Sequence, residues 1–214
     1  MQIILGSQSP RRRELLASVA GADRLIVRPP IQSDEAGFAG LVSVAGIEQR
    51  LSEVVRSKHE DVTRQIRHSE FGNRPPCIIC ADTIVVATSS DNNCIVLEKP
   101  PAETWQPTVK DWFVRYYSDR PHDVWTCCRI SGDDQVREFI VKTTVRLCKL
   151  DDWLIDWYLS TGEPVGKAGG YGLQGDAAML VESVDGSLTN VIGLPMLEVT
   201  SVLREFGALN TETL

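Results

Sequence analysis

Long apolar runs are missing from this sequence. No stretch approaches the roughly 20 residues that a transmembrane helix needs, and no basic segment precedes the first apolar residues, as it would in a secretory signal. An excess of basic charge is missing too, because 22 Lys and Arg face 29 Asp and Glu, for a formal net charge of -7. We therefore expect a cytoplasmic protein with neither a membrane nor a nucleic acid as partner, in which any anion is held by a local basic site.

A metal-binding pattern of cysteines and histidines is also missing. The chain has six Cys and three His. Among them only Cys77 and Cys80 form a C-x-x-C, without a second pair or a histidine at ligand spacing. The pair would suit a redox centre or half of a zinc site, but in a strand the two side chains point to opposite faces. We favour reduced, mostly buried thiols.

What is present has the composition of a folded α/β protein. Of the 214 residues, 43% are hydrophobic and 24% are charged, which is ordinary for a domain with its own core. Strand and helix patterns alternate along the chain, with a strong strand predicted over 77–87, its hairpin partner over 94–97 and a helix over 47–59. We expect one α/β domain over residues 1–214, with a mixed sheet and two lobes around a central cleft.

Two further helices are predicted from their apolar spacing. The segment 102–117 is rich in aromatic residues but is interrupted by Pro107. The segment 151–160 starts at an Asp cap, and we expect its packing face to consist of Trp153, Leu154 and Trp157.

The beginning of the chain combines a short strand, a polar loop and a helix start. After the apolar residues 3–5, Ser9 is placed as an N-cap and Pro10 as the first helical residue. Three arginines follow at 11–13, where the helix dipole already makes the potential positive. Two interpretations are open: a phosphate cradle of N–H groups, hydroxyls and guanidinium groups, or arginines that are solvated or paired with acids elsewhere.

Acidic residues occur at two positions of interest. Asp82 is the one acid in the apolar run 77–87, where an unpaired carboxylate would be costly. It is therefore paired, metal-bound or exposed at a cleft, and a rigid strand suits a base or a metal ligand. A hydrogen bond to a neighbouring turn is the structural alternative. Asp34 and Glu35 form an acidic pair in a loop that alone carries little information.

A glycine-rich stretch over 161–175 surrounds a single Lys, a single Tyr and a single Gln. Glycines allow a backbone to approach a ligand closely, and Lys167 supplies a charge for phosphate. The pattern of a P-loop is absent. A flexible surface loop is the alternative explanation.

Five motifs together resemble the Maf (septum formation) family, in that family's order and over nearly the whole chain. They are SQSPRR at 7–12, ADT at 81–83, LEKP at 97–100, EPVGKAGGYGLQG at 163–175 and VIGLP at 191–195. The resemblance implies a nucleoside triphosphate pyrophosphatase with an elongated, two-lobed α/β fold similar to inosine triphosphate pyrophosphatases. It also implies a divalent metal, Mg²⁺ or Mn²⁺, and homodimers in many members. The fourth of these segments, at 163–175, is similar to the branch that acts on dTTP and UTP, rather than the branch that prefers 7-methyl-GTP.

The resemblance also implies roles for single residues. Asp82 matches the general base, and Arg11, Thr83 and Gln174 match positions linked to substrate choice. The other polar positions around the phosphates and the metal are matched by Ser7, Ser9, Arg12, Glu35, Lys58, Lys99 and Lys167. The match of Lys58 depends on a weaker local alignment.

The reaction implied by the resemblance is attack of water on the α-phosphorus, which releases pyrophosphate. A divalent metal held by Glu35 or Asp82 would neutralise charge and activate the water, Asp82 would accept its proton, and the basic residues would stabilise the triphosphate. Two alternatives stay open. One is a house-cleaning pyrophosphatase for modified nucleotides, which would differ around Gln174. The other is a nucleotide-binding regulator of cell division.

Two glycines depart from the family pattern. Gly6 stands where Ala is usual, which we expect to be harmless. Gly166 replaces an Asp commonly found just before the Lys, so any salt bridge or metal contact from that Asp is absent. This departure bears on substrate preference more than on the reaction.

Overall fold

A seven-stranded mixed sheet organises the chain. The computed structural model describes residues 1–31, 37–66, 70–72 and 74–209. The strands found there are β1 (Ile3–Leu5), β2 (Leu25–Val27), β3 (Cys77–Thr88), β4 (Cys94–Leu97), β5 (Pro121–Gly132), β6 (Gln135–Leu147) and β7 (Val181–Asp185). Their order is β2-β1-β3-β5-β6-β7, and β4 also pairs with β3. The pairs β1–β2 and β1–β3 are parallel and the others are antiparallel, which confirms the predicted mixed sheet.

Helices pack on the sheet. Those in the described part are α1 (Pro10–Ala20), α2 (Val44–Arg64), α3 (Trp105–Trp112), α4 (Asp152–Ser160), α5 (Leu188–Ile192) and α6 (Met196–Glu205). The predicted start of α1 is confirmed, because the Ser9 hydroxyl accepts a hydrogen bond from the Arg12 backbone N–H at 3.4 Å and Pro10 is the first helical residue. None of these helices is long and apolar enough to cross a membrane.

The predicted interruption at Pro107 is wrong. The α-helix begins at Trp105, so Pro107 lies in the first helical turn, where a backbone N–H has no helical acceptor to lose. The chain then continues from α3 into a π-helical segment, Phe113–Tyr117.

The predicted packing face of α4 is also wrong in part. Trp153 is 69% exposed, whereas the helix buries Ile155, Tyr158 and Leu159. The Phe113 ring stacks on Tyr158 with ring centroids 5.5 Å apart. The side of the helix that carries Tyr158 therefore faces the aromatic core, and the side that carries Trp153 faces outwards.

Three clusters of buried side chains lie on the two faces of the sheet. The apolar even-numbered β3 residues, Ile78, Cys80, Ile84 and Val86, pack in the cluster with α2. On the opposite face, odd-numbered residues 77–81 pack with α1 and α6, whereas Val85 and Ala87 pack with α3 and α4. The two clusters on this second face are therefore separated along β3 at residues 82–84, and this separation positions the site described below.

The cysteines have free thiols. Cys77 lies in the cluster with α1 and α6, and Cys80 lies in the cluster with α2, so the predicted opposite orientation of the C-x-x-C side chains is confirmed. Burial raises the pKa of both thiols to about 12. Both are therefore uncharged near neutral pH, which makes them poor nucleophiles and poor metal ligands.

Two buried histidines should make stability depend on pH. Burial lowers the pKa of His59 to about 4 and that of His122 to about 3. Below pH 6.5 the unfolded chain therefore binds protons that the folded protein does not. The contribution of each neutral histidine is complete above pH 6.5, and each should reduce the free energy of unfolding by up to about 1.4 kcal/mol per pH unit as the pH falls from there towards its folded-state value.

Urea unfolding between pH 7.5 and 4.5 measures this dependence. His59→Gln is the matched comparison, because glutamine does not titrate and retains a polar group beside the Ser131 hydroxyl, which lies 2.8 Å from His59 Nε2. The variant should lose less stability than the parent protein over this range. The same pH slope in both proteins would contradict the assignment.

Candidate active site

The site begins with an interruption along one edge of β3. On this edge β1 pairs with residues 77–79 and β4 pairs with residues 85–88, while β5 occupies the other edge. Residues 80–84 therefore have no strand beside them on the first edge in the described part of the chain. Asp82 and Thr83 are half-buried there, in a strand whose other residues are buried except for the last.

A cleft of about 490 Å³ opens at this interruption. Apolar side chains, including Val85, Val124, Leu173 and Val191, line part of it. The residues predicted from sequence that line it are Ser7, Ser9, Arg11, Arg12, Lys58, Asp82, Thr83, Lys99 and Lys167. Residues that are up to 160 positions apart in the chain are thus brought to one surface.

Two predicted residues are not placed in the lining. Gln174 is exposed and does not line the cleft, although the preceding Gly172 and Leu173 do. Glu35 lies outside the described residues.

Asp82 forms an ion pair with Lys58, which α2 contributes from one face of the sheet. Lys58 Nζ lies 2.6 Å from Asp82 Oδ1, and the Asp82 and Lys58 side chains are only 17% and 13% exposed. The partner of Asp82 is thus a cation, and not a neighbouring turn. Within the described part of the chain, Oδ2 receives no hydrogen bond, so one carboxylate oxygen is fixed and the other is available to a water or a ligand.

Thr83 and Arg12 meet on the opposite face of β3. Arg12 Nη2 donates to Thr83 Oγ1 at 2.9 Å, and Nη1 donates to the Ala81 carbonyl at 2.9 Å and to Ser7 Oγ at 3.2 Å. Arg12 Nε donates to the Gly193 carbonyl, after α5, at 2.8 Å. The guanidinium group therefore joins β1, β3 and α5 across the interruption, and four of its contacts are to protein oxygens.

The other two arginines of α1 have different environments. Arg13 is exposed. Arg11 is half-buried in the cleft without a carboxylate partner in ion-pair contact among the described residues. Burial, and then the nearby Arg12, lower the pKa of Arg11, so an anion bound in the cleft would stabilise its charge. Lys99 also lines the cleft without such a partner in the described ranges.

The glycine-rich loop is anchored and not a free surface loop. The Tyr117 hydroxyl donates to the Gly169 carbonyl at 2.9 Å, and the Tyr158 hydroxyl donates to the Gly170 carbonyl at 3.2 Å. Gly169 and Gly170 have φ values of 68° and 70°, and a Cβ on Gly169 would lie 2.5 Å from a Val85 methyl. Glycine is needed at this position for both backbone conformation and space.

The loop also contains Glu163, a residue that sequence reasoning did not assign to the site. Lys167 Nζ lies 2.9 Å from Glu163 Oε1, and the side chains are 17% and 12% exposed. A Glu four positions before a Lys is a recognisable ion-pair spacing, but Pro164 and Gly166 between them gave no reason to expect a helical turn.

Gly6 is compensated locally. A Cβ on Gly6 would lie 2.3 Å from Cys80 Sγ, so the Cys80 thiol fills the space that an alanine methyl would need. Glycine at this position therefore leaves no cavity, which agrees with the expectation that it is harmless.

The donor set of the cleft fits a metal that binds together with phosphates. Asp82 is the acidic side chain among the described lining residues, and no cluster of three or more His, Cys, Asp or Glu occurs in the described part of the chain. Mg²⁺ is usually held by one or two carboxylates with substrate phosphates and waters, and not by an all-protein cage. A single carboxylate at a basic cleft is compatible with that mode of binding.

Comparisons with known proteins agree with this geometry. The family model described as "Maf-like protein" matches residues 2–206. A protein of Geotalea uraniireducens named dTTP/UTP pyrophosphatase is 37% identical over 209 residues, which cover 97% of this chain and 96% of the relative. Proteins of the same name from Shewanella sp. strain MR-7 and Exiguobacterium sibiricum are 35% and 34% identical, over 97% and 96% of this chain and 99% and 92% of their own lengths.

Proposed function

The chain belongs to the Maf family, and on this premise we propose that it is a nucleoside triphosphate pyrophosphatase that hydrolyses dTTP and UTP. The products would be the nucleoside monophosphate and pyrophosphate. The names of its relatives support both the reaction class and the two substrates.

One observation carries the proposal: a fixed carboxylate lines the same cleft as two basic side chains that have no carboxylate partner among the described residues. Asp82 is held by Lys58 at 2.6 Å, while Arg11 and Lys99 have no carboxylate partner among the described residues. A triphosphate supplies the negative charge that would pair with these basic side chains. A carboxylate beside it can accept the proton of the attacking water during hydrolysis.

The residues divide the chemistry between them. Asp82 Oδ2 is available to accept the proton of a water molecule that attacks the α-phosphorus, while Lys58 holds the carboxylate in place. The phosphorus–oxygen bond to the β-phosphate breaks, and pyrophosphate leaves with the electron pair of that bond. Arg11, Lys99 and Lys167 offset the charge of the phosphates in positions that are set before the substrate binds.

A divalent metal is part of the proposal. Asp82, together with Glu35, would hold Mg²⁺ or Mn²⁺. When bound, the ion would neutralise phosphate charge and lower the pKa of a water molecule.

Base selection would fall to residues at the other side of β3. Thr83 Oγ1 is held between Arg12 Nη2 at 2.9 Å and Thr126 Oγ1 at 3.0 Å, so its direction is fixed. Gln174 would contribute an amide that can donate to and accept from a pyrimidine edge.

A panel of nucleoside triphosphates tests the proposal. The protein is incubated with dTTP, UTP, CTP, ATP, GTP and modified nucleotides in the presence of Mg²⁺ or Mn²⁺, and pyrophosphate and monophosphate are measured. We expect dTTP and UTP to be hydrolysed with the highest kcat/KM. Preference for a modified nucleotide would support the house-cleaning alternative, and binding without hydrolysis would support the regulator; either result would overturn the proposal.

Two neighbouring arginines provide the control. Arg11→Ala should raise KM for UTP by about 10- to 100-fold, because a charge-assisted contact to phosphate is lost. Arg13→Ala removes the same charge from the exposed side of the same helical turn and should change KM less than twofold. Equal effects of the two substitutions would show that the cleft is not where the triphosphate binds.

A further inference from the structure

Glu163 receives donors from three parts of the fold. Its Oε1 lies 2.9 Å from Lys167 Nζ and 3.2 Å from the Tyr158 hydroxyl, whose single proton it shares with the Gly170 carbonyl, while Oε2 accepts from the Asp176 backbone N–H at 2.5 Å. The carboxylate thus links α4 to both ends of the loop 163–176. A carboxylate that is 12% exposed and receives an ammonium, a hydroxyl and an amide is a fixed group and not a solvated one.

Two glycines of the loop make room for this contact. A Cβ on Gly175 would lie 2.3 Å from Glu163 Oε2, and a Cβ on Gly172 would lie 3.3 Å from Lys167 Cδ. The backbone therefore passes close to the Glu163 carboxylate and to the Lys167 stem. These two glycines are explained by the ion pair as well as by the approach of a ligand.

The same carboxylate influences the basic side of the cleft. Glu163 raises the pKa of Arg11 and so opposes the lowering that burial and Arg12 cause. Gly166, with φ of 73°, has no side chain to pair with Lys167. In the described part of the chain, Glu163 is thus the acid that holds Lys167, and together with Glu14 it raises the pKa of Arg11.

We propose that Glu163 is a positioning residue, which holds Lys167 and the loop 163–176 against the cleft so that the ammonium group is in place before a triphosphate binds. Glu163 does not line the cleft itself, so it acts through Lys167. This role deepens the proposed pyrophosphatase function and rests on it.

A double-mutant cycle with UTP separates this role from a merely structural one. Glu163→Gln and Lys167→Ala should each lower kcat/KM about tenfold, and the double variant should be no worse than either, because the first displaces the Lys167 ammonium group and the second removes it. Glu163→Asp keeps the charge but is one methylene shorter, so it should recover part of the loss. Glu53→Gln, which removes an exposed carboxylate that is paired with Arg50, should leave kcat/KM unchanged.

Limited trypsin digestion provides a readout that does not depend on catalysis. Cleavage after Lys167, identified by mass spectrometry, should be at least tenfold faster in Glu163→Gln than in the parent protein, because the loop loses the charged partner of Lys167 and keeps only hydrogen bonds to a neutral amide. If the parent protein hydrolyses no nucleotide, the proposed function fails, and the digestion still tests the anchoring. Additive losses in the cycle, or unchanged cleavage after Lys167, would overturn the role of Glu163.

Discussion

Replacement of Asp82 by asparagine is expected to lower kcat for UTP hydrolysis by about 10²- to 10⁴-fold, the usual contribution of a positioned general base. Asparagine has nearly the same shape and can still accept the hydrogen bond that Lys58 gives to Oδ1. The fold and the ion-pair site should therefore survive the change, and the loss should appear in kcat. Steady-state kinetics measure the loss in kcat, and calorimetry of nucleotide binding shows separately whether the binding site is intact.

A second aspartate provides a close control. Asp156 pairs with Lys110 at 2.6 Å, the same distance as in the pair of Asp82 and Lys58, but its side chain is 59% exposed and does not line the cleft. Asp156→Asn should leave kcat within twofold of the parent value. A folded Asp82→Asn protein that binds UTP and turns it over at a near-normal rate would eliminate Asp82 as the base.

The largest expected effect on stability is that of Arg12→Met, with a loss of about 3 kcal/mol in the free energy of unfolding. Methionine matches the length of the arginine stem but removes the hydrogen bonds to the Ala81 and Gly193 carbonyls and to the hydroxyls of Ser7 and Thr83. Two of these oxygens, on Ala81 and Thr83, lie at the sheet interruption, where no strand pairs with that edge of β3 in the described part of the chain. Urea unfolding at pH 7.5 measures the loss.

Two variants test whether the fork geometry of Arg12 or only its charge matters. Arg12→Lys keeps the charge, but an ammonium group cannot reach oxygens on β1, β3 and α5 at the same time, so it should lose most of the same stability. Arg13→Met removes an exposed charge one residue away and should change the free energy of unfolding by less than about 0.5 kcal/mol. If Arg12→Lys is as stable as the parent protein, the hydrogen bonds of the guanidinium group contribute little to the free energy of unfolding.

Local patterns in the sequence were sufficient where the physical cause is local. The cap at Ser9 and Pro10 needs only adjacent residues, and the strand over 77–87 is a continuous apolar run with one acid. The cost of burying that acid left Asp82 to be paired, metal-bound or exposed at a cleft, and the structure shows the pair. The partner, Lys58, is 24 residues away, and the family resemblance marked it as a site residue without pairing it with Asp82.

Contacts between distant segments could not be derived in the same way. The oxygens that accept hydrogen bonds from Arg12 belong to residues up to 181 positions away. From the sequence alone, a charge in the first helical turn therefore suggested a phosphate ligand and not a structural link between distant segments. Trp153 illustrates the converse error. Tryptophan spacing suggested a packing face on α4, but the position of Phe113 in the tertiary structure decides which side of that short helix is buried.

Successive side chains of β3 point to opposite faces of the sheet, and this alternation has an evolutionary consequence. Asp82 and Thr83 are consecutive, yet each is supported from a different side of the sheet, the first by Lys58 on α2 and the second by Arg12 on α1. Mutations that alter the surroundings of Thr83 can therefore accumulate without disturbing the carboxylate. Descendants of one ancestral hydrolase could in this way diverge in the nucleobase they accept while inheriting the same bond-breaking step.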